Sequence, residues 1–386
     1  MPAEPSRCVA LVLPYLKARG TELQALQLVR GLSQRGWRCT LMVTQGWGDP
    51  DVVAAFEASG ARVMLLPPPL APGLKRVHRR RVLPLRHALA RSGCRVVLSR
   101  AGMGNQLAGL AARSLGLPCV AVLSSGVGPP SPAQRSRPWD GLLWRLRLGF
   151  PSRIVCVSQQ SLQHLQARLP GLRPISMAIV NGVAATAPLP VPAAEPQLRF
   201  DPSLLHLCSV GSLECERKGL DLLLEALALV QDRCPRPLLL TLIGTGPDQT
   251  RLEDMARQLG LSDQVRFAGE IRGPQRLVAQ ADLFVLPSRR EGLPNALLEA
   301  MAVGTCALAA DCPTGPAEVI RPGDTGWLVP AGAAEPLADG LVQLLNQPEL
   351  RRRLGEAGRR SVLADYGSER CADAYDQLLT SLVERA

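Results

Sequence analysis

Two carboxylates eight positions apart, Glu291 and Glu299, bracket a stretch whose residue types suit an anionic ligand. Ahead of them the apolar run Ala281–Leu286 reads as a buried strand that stops at Pro287 and Ser288. Gly292 and Pro294 follow, and Leu297, Leu298, Met301 and Ala302 then recur at helical spacing. A proline is tolerated at the first helical position, so the helix is predicted to start at Pro294. A strand, a glycine turn and a helix N-terminus leave unpaired N–H groups pointing one way, and the helix dipole adds to their preference for negative charge. Were both glutamates helical, eight residues would separate them by about 12 Å. That is too long for a glycosidase acid and nucleophile, which work across roughly 5–10 Å. It suits two carboxylates gripping hydroxyls at opposite ends of one long ligand, with phosphates between them. On spacing alone, the plain alternative is a surface helix carrying two solvated glutamates.

The elements that would position this stretch recur along the chain. Val9–Leu13 reads as a strand, Thr21–Arg35 as a helix closed by Gly36, and Cys39–Val43 as the next strand. Such a βαβ opening favours a parallel sheet covered on both faces. Strands at Val96–Leu98 and Val120–Leu123 flank a small-residue helix, Asn105–Leu115. Residues 184–203 are Ala/Pro-rich without periodicity and read as an interdomain linker. A second βα series opens at Leu205–Gly211, followed by Lys218, Gly219 and an apolar helix from Leu222 to Val230. The strand Leu238–Ile243 ends in Gly244-Thr245-Gly246. Gln249 stands where a dinucleotide fingerprint needs glycine, so an NAD site is not indicated. A Gly-x-Gly at the carboxyl end of a strand still lets a nucleotide approach the backbone. Helices at 334–346, 348–364 and 368–385 finish the chain.

A length of 386 residues favours at least two domains, and 46% hydrophobic residues can fill two cores. No apolar run is long enough for a membrane span, and the amino-terminal residues do not read as a signal peptide. Eleven cysteines without C-x-x-C spacing read as small buried hydrophobes in a reducing compartment, not as a disulfide or zinc framework. Charge is lopsided: residues 1–185 hold 24 Lys+Arg against 6 Asp+Glu, whereas residues 186–386 hold 20 against 27. An excess of this kind suggests an anionic partner for the first half. Zinc patterns and RNA-binding aromatic motifs are lacking, so nucleic acid is not expected. Two basic amphipathic segments, 74–92 and 135–153, suit an anionic membrane surface; the plain alternative is that their leucines and Trp144 are core.

The sequence PSRREGLPNALLEAMAVG, with its E-x7-E, resembles the donor-site signature of the retaining family 4 glycosyltransferases of the GT-B fold. The resemblance is strong over 205–330 and weak over 1–180. It implies an α/β chain of two Rossmann-like domains facing across a cleft, 1–185 on the acceptor side and 186–365 binding a nucleotide sugar. Residues 366–386 would pack back on the first domain. Glu291 would lie beside the sugar and Glu299 on the ribose, with Gly292, Leu293, Pro294 and Asn295 lining the donor. A Lys-Gly at Lys218-Gly219 would contact the diphosphate, near Gly211, Gly244 and Gly246. The arginine usual six residues earlier is Ser212 here, which leaves Arg217 as a possible substitute. Of the Gly-Gly-x-Glu turn after the first strand only Gly20 of its two glycines is present. The usual histidine near the sugar is replaced by Ser124-Ser125-Gly126, and an acidic residue after Asn-Gly-Val by Ala184. The implied activity is metal-independent, cofactor-free transfer from a UDP or GDP sugar to a glycan or lipid-linked acceptor, in a cytoplasmic or peripheral membrane setting. A GT-B epimerase or phosphorylase is the alternative.

Overall fold

A computed structural model describes residues 7–17, 20–67, 79–100, 102–124, 139–184 and 201–385. Ser125 and Gly126, most of the linker, and segments 74–78 and 135–138 lie outside them. The chain divides into two compact units, Met1–Gly182 with Ser368–Ala386, and Val183–Gly367. The sequence boundaries were expected a few residues away, at 185/186 and 365/366.

The first unit alternates strands and helices: β1 (Cys8–Leu13), α1 (Gly20–Gln34), β2 (Arg38–Val43), α2 (Pro50–Ala58), β3 (Arg62–Leu65) and α3 (Arg79–Ser92). It continues with β4 (Val96–Arg100), α4 (Gly102–Arg113), β5 (Cys119–Leu123), α5 (Asp140–Arg147), β6 (Arg153–Cys156), α6 (Gln159–Arg168) and β7 (Ser176–Ala178). The strands form one parallel sheet in the order β3-β2-β1-β4-β5-β6-β7. All six residues of β1 are buried, as expected of a strand covered on both faces. Gly36, at φ 80°, ends the first helix in a conformation that favours glycine. Asp49 accepts a hydrogen bond from Asp51 N at 3.1 Å and caps α2, whose first residue is Pro50.

The second unit runs β8 (Leu205–Val210), α7 (Cys215–Lys218), α8 (Leu220–Leu229), β9 (Leu238–Ile243), α9 (Gln249–Gln258), β10 (Val265–Phe267) and α10 (Gln275–Val278). Then come β11 (Leu283–Leu286), α11 (Asn295–Ala302), β12 (Ala307–Asp311), α12 (Pro316–Val319), β13 (Trp327–Pro330), α13 (Ala334–Leu345) and α14 (Pro348–Asp365). Its parallel sheet has the order β10-β9-β8-β11-β12-β13. The order reverses between β8 and β11, and ligands of such sheets bind outside the carboxyl ends of strands at that reversal. One apolar cluster, including Leu207, Leu240, Val285, Leu308 and Leu341, fills the unit.

The last helix, α15 (Ser368–Val383), belongs to the first unit. It lies on α1 so closely that a Cβ at Gly31 would come within 2.4 Å of Ala372 Cβ. Arg35 pairs with Asp373 and Glu369 at 2.7 and 2.9 Å, and Trp37 Nε1 donates to Asp376 at 2.6 Å.

The basic segment around α3 is not a free amphipathic face. Leu85, Ala88 and Leu89 are buried in the core, because the helix packs against α4 and the neighbouring β2, whereas Leu83 is exposed. In α5 Trp144 packs on a small core with Leu148, Ile154 and Leu165, whereas Trp139, Leu142, Leu143 and Leu146 are exposed. All eleven cysteines are free, and Cys8 and Cys94 approach to 3.2 Å between their sulfurs.

Candidate active site in the second unit

The reversal between β8 and β11 is built by two loops that zip together. Arg289 N donates to Arg217 O at 2.9 Å, and a Cβ on Gly219 would stand 2.2 Å from Pro287 O. Gly219 takes φ 63° and joins α7 to α8, so its left-handed turn brings the end of α7 against the strand-ending Pro287. Arg289 then grips Asp221 through two bonds, at 2.7 and 3.0 Å, and donates to Cys215 O at 2.7 Å. Burial alone would raise the Asp221 carboxyl, but the Arg289 guanidinium holds it below its ordinary value.

Lys218 is thereby placed inside. Its ammonium donates to Glu291 Oε1 at 2.6 Å, with the two side chains 14% and 7% exposed. Ser288 Oγ donates to the same oxygen at 2.7 Å, and Thr314 Oγ1 donates to the Glu291 carbonyl. A pocket opens beside the pair, lined by Gly211, Ser212, Leu213, Lys218, Pro287 and Ser288. The lysine chain lies over Gly211, 3.5 Å from where a Cβ would be.

The turn Gly292-Leu293-Pro294, all buried, leads into α11. Pro294 is the N-cap, not the first helical residue, because its ψ of 93° is extended; the helix begins at Asn295. Glu299 lies one turn further on. Gln275 Nε2 donates to its Oε2 at 3.0 Å, and burial pushes the carboxyl up to about 7 against that bond. Gln275 Oε1 is buried and, among the described residues, has no partner. Among the described residues no group of three His, Cys, Asp or Glu gathers as a metal would require.

The structure therefore brings Gly211, Ser212, Lys218 and Glu291 together, with the start of α11 following and Glu299 one turn beyond. It does not bring in Arg217. That side chain bonds Glu214 at 2.9 Å instead and is 38% exposed. Gly244 and Gly246 also meet a packing requirement that the sequence did not show. Side chains there would strike Gly211 O at 2.0 Å and Leu213 O at 2.3 Å, so they allow one loop to lie on another. Gly20 is exposed at the start of α1 in the first unit. Ser288, Gln275, Thr314 and the Arg289–Asp221 pair went unread in the sequence. Only the tight Pro-Ser-Arg-Arg turn before Glu291 could have pointed to the first of them.

Comparison with known proteins decides the family. Residues 18–183 match the model described as Glycosyltransferase Family 4, and residues 192–361 match that of Glycosyl transferases group 1. The chain belongs to glycosyltransferase family 4. It is 37% identical over 166 residues to the lipopolysaccharide core biosynthesis glycosyltransferase LpsE of Rhizobium meliloti, covering 43% of this chain and 47% of LpsE. Over 187 residues it is 35% identical to the phosphatidyl-myo-inositol mannosyltransferase of Mycobacterium leprae, covering 48% of each. The chain thus spans about half the length, or less, of the curated relatives it matches. The fold is also that of Anabaena HepE, solved with UDP and glucose: TM-score 0.78, 18% identity, 97% of this chain and 100% of that one. This family 4 chain has the GT-B type of fold, two Rossmann-like units.

Proposed function

We propose that this family 4 chain transfers a sugar, with retention at its anomeric carbon, from a nucleoside-diphosphate donor to a glycan or lipid-linked acceptor. The observation that carries the reading is the part-buried Lys218–Glu291 pair, held at the sheet's reversal beside the amino end of α11. A lysine is a compact charge able to neutralise a departing diphosphate. The amides at Leu293–Asn295 add backbone donors to the same phosphates. Glu291, turned in from the loop, orients hydroxyls of the transferred sugar. Glu299 grips the ribose, and the unpartnered Gln275 Oε1 beside it would accept from a donor hydroxyl. Lys218 and the amides supply the positive charge, so the reading assigns no metal and no cofactor to the site.

Relatives named for lipopolysaccharide core and phosphatidylinositol mannosylation favour a lipid-linked acceptor at the inner face of a membrane. The exposed Trp139 at the N-cap of α5 and the exposed Leu142, Leu143 and Leu146 within it, with Arg145 and Arg147 on the same helix, would hold the protein there. No helix among the described residues is long and apolar enough to cross a membrane.

The test is nucleotide release from UDP and GDP sugars, alongside a thermal-shift panel of the same ligands. UDP comes first, since HepE was solved with it. Normal turnover in both Lys218→Ala and Glu291→Ala would refute the assignment. Product formed without an acceptor, or only with phosphate, would favour an epimerase or a phosphorylase.

A further inference from the structure

Trp47 is 51% exposed, although it sits in a loop whose backbone is firmly tied down. The loops after β1 and β2 run side by side at the carboxyl edge of the first unit's sheet. Gln45 N donates to Pro14 O at 2.8 Å, Leu16 N to Trp47 O at 3.2 Å, and Asp49 N to Leu16 O at 2.9 Å. Leu16 is fully buried and anchors them, and Gly48 fits because a Cβ would lie 2.9 Å from Val53 Cγ2 and 3.3 Å from Leu16 Cβ. The indole is therefore held out by a rigid base. Lys17 lies with its ammonium 5.3 Å from the Trp47 ring centre and 5.7 Å from that of Tyr15. Among the described residues Lys17 makes no ion pair.

An exposed tryptophan braced in this way has a face to offer. The π face of an indole is negative, and the axial C–H bonds of a pyranose are apolar and slightly positive, so a sugar ring stacks on it. An ammonium held over aromatic faces takes up one face of the indole, leaves the opposite face for a sugar ring, and keeps outward N–H donors for an anion. The place is also one where sheets of this type receive ligands: beyond the carboxyl ends of the strands, on the loop of β1, beside the β1–β4 reversal. The excess of 24 basic over 6 acidic residues in 1–185 gives the surroundings the matching sign.

We propose that Trp47, Tyr15 and Lys17 form an acceptor subsite that stacks one sugar ring bearing a phosphate or a carboxylate. It rests on the transferase reading and deepens it by naming the acceptor's chemistry: a negatively charged saccharide unit. Trp47 supplies the stacking area, Tyr15 completes the ledge, and Lys17 reads the charge.

The full chain, with and without saturating UDP, would be examined by saturation-transfer NMR. The probes are glucose 6-phosphate, glucuronate, methyl glucoside and inorganic phosphate. Ring protons of the two charged sugars should be saturated, and methyl glucoside at least several-fold less. Trp47→Ala should cut the signal of both charged sugars at least fivefold. Lys17→Gln should bring them down to the level of methyl glucoside. Whichever of the two charged sugars saturates more strongly identifies the anion. Inorganic phosphate in equal amount should displace neither sugar. Full saturation in Trp47→Ala, equal binding of methyl glucoside in the unaltered protein, or displacement by phosphate alone would overturn the proposal. The UDP thermal shift should be unchanged in both variants, because the donor residues lie in the other unit. If the unaltered protein gives no shift with any nucleotide yet the charged sugars saturate at Trp47, the transferase reading fails and the subsite stands.

Discussion

At the scale of single residues, the site depends on two carboxylates in opposite electrostatic circumstances. Glu291 faces an ammonium at 2.6 Å, whereas Glu299 faces a neutral amide and is pushed up to about 7 by burial. For Glu299 the folded value lies above the ordinary carboxyl value of 4.5, so the folded state holds its proton more tightly than the unfolded one. Its cost to stability is absent below pH 4.5, grows as pH rises, and is complete above about 7. Glu299→Gln removes that cost and can donate to Gln275 Oε1. The variant should melt at the same temperature as the parent at pH 4.5 and several degrees higher at pH 8, as read by scanning calorimetry. UDP affinity should move the other way in the parent. An ionised carboxylate accepts from ribose hydroxyls, so binding should tighten as pH climbs from 5.5 to 7.5, and Glu299→Gln should lose that part of the dependence. For Lys218, loss of a charge aimed at a developing anion costs about a hundredfold or more in rate. Lys218→Ala should show a fall of that order in nucleotide release, with the UDP thermal shift reduced.

At the scale of elements, the turn at Gly219 sets the direction of Lys218. An alanine there meets a left-handed backbone, costing about 1–2 kcal/mol, and also a carbonyl 2.2 Å from its Cβ. Gly219→Ala should therefore lower stability by at least about 2 kcal/mol in urea and abolish the UDP thermal shift. The α5 face makes a separate prediction. Leu142 is 60% exposed, so Leu142→Glu should leave the melting temperature within about a degree of the parent. The same change should sharply reduce co-sedimentation with phosphatidylglycerol vesicles. Elements were the most legible layer of the sequence. Runs such as Leu238–Ile243, apolar but for Thr241, could be little else than buried parallel strands, and Gly36 marked the end of a helix. What stayed hidden were contacts between elements distant in sequence. Nothing in Gly244-Thr245-Gly246 says that its neighbour will be the backbone at Gly211, and nothing in Arg217-Lys218 says which of the two turns inward. The arginines of α3 were legible, but the burial of Leu85 and Leu89 depends on what the helix packs against.

At the scale of the whole molecule, the chain leaves its first unit at Gly182 and returns to it at Ser368, so the last helix completes a core begun hundreds of residues earlier. Each unit has its own sheet and its own apolar clusters, which lets their stabilities be probed apart. The contact to disturb is the one at Gly31, where α1 and α15 touch without room for a methyl group. A leucine at that position must push α15 outward, straining Trp37–Asp376 and the Arg35 pairs; overpacking of this kind costs roughly 1–3 kcal/mol. Hydrogen exchange on Gly31→Leu should show amides of α1, α15 and the adjoining β1 losing protection by ten- to a hundredfold, while β8 and β11 keep theirs. UDP binding, seated wholly in the second unit on the reading above, should survive the substitution. Transfer to acceptor should fall, because Tyr15, Lys17 and Trp47 stand on the loops that follow β1 and β2. Equal loss of protection in both sheets would mean that the units unfold as one, and the assignment of donor and acceptor to separately stable halves would have to be abandoned.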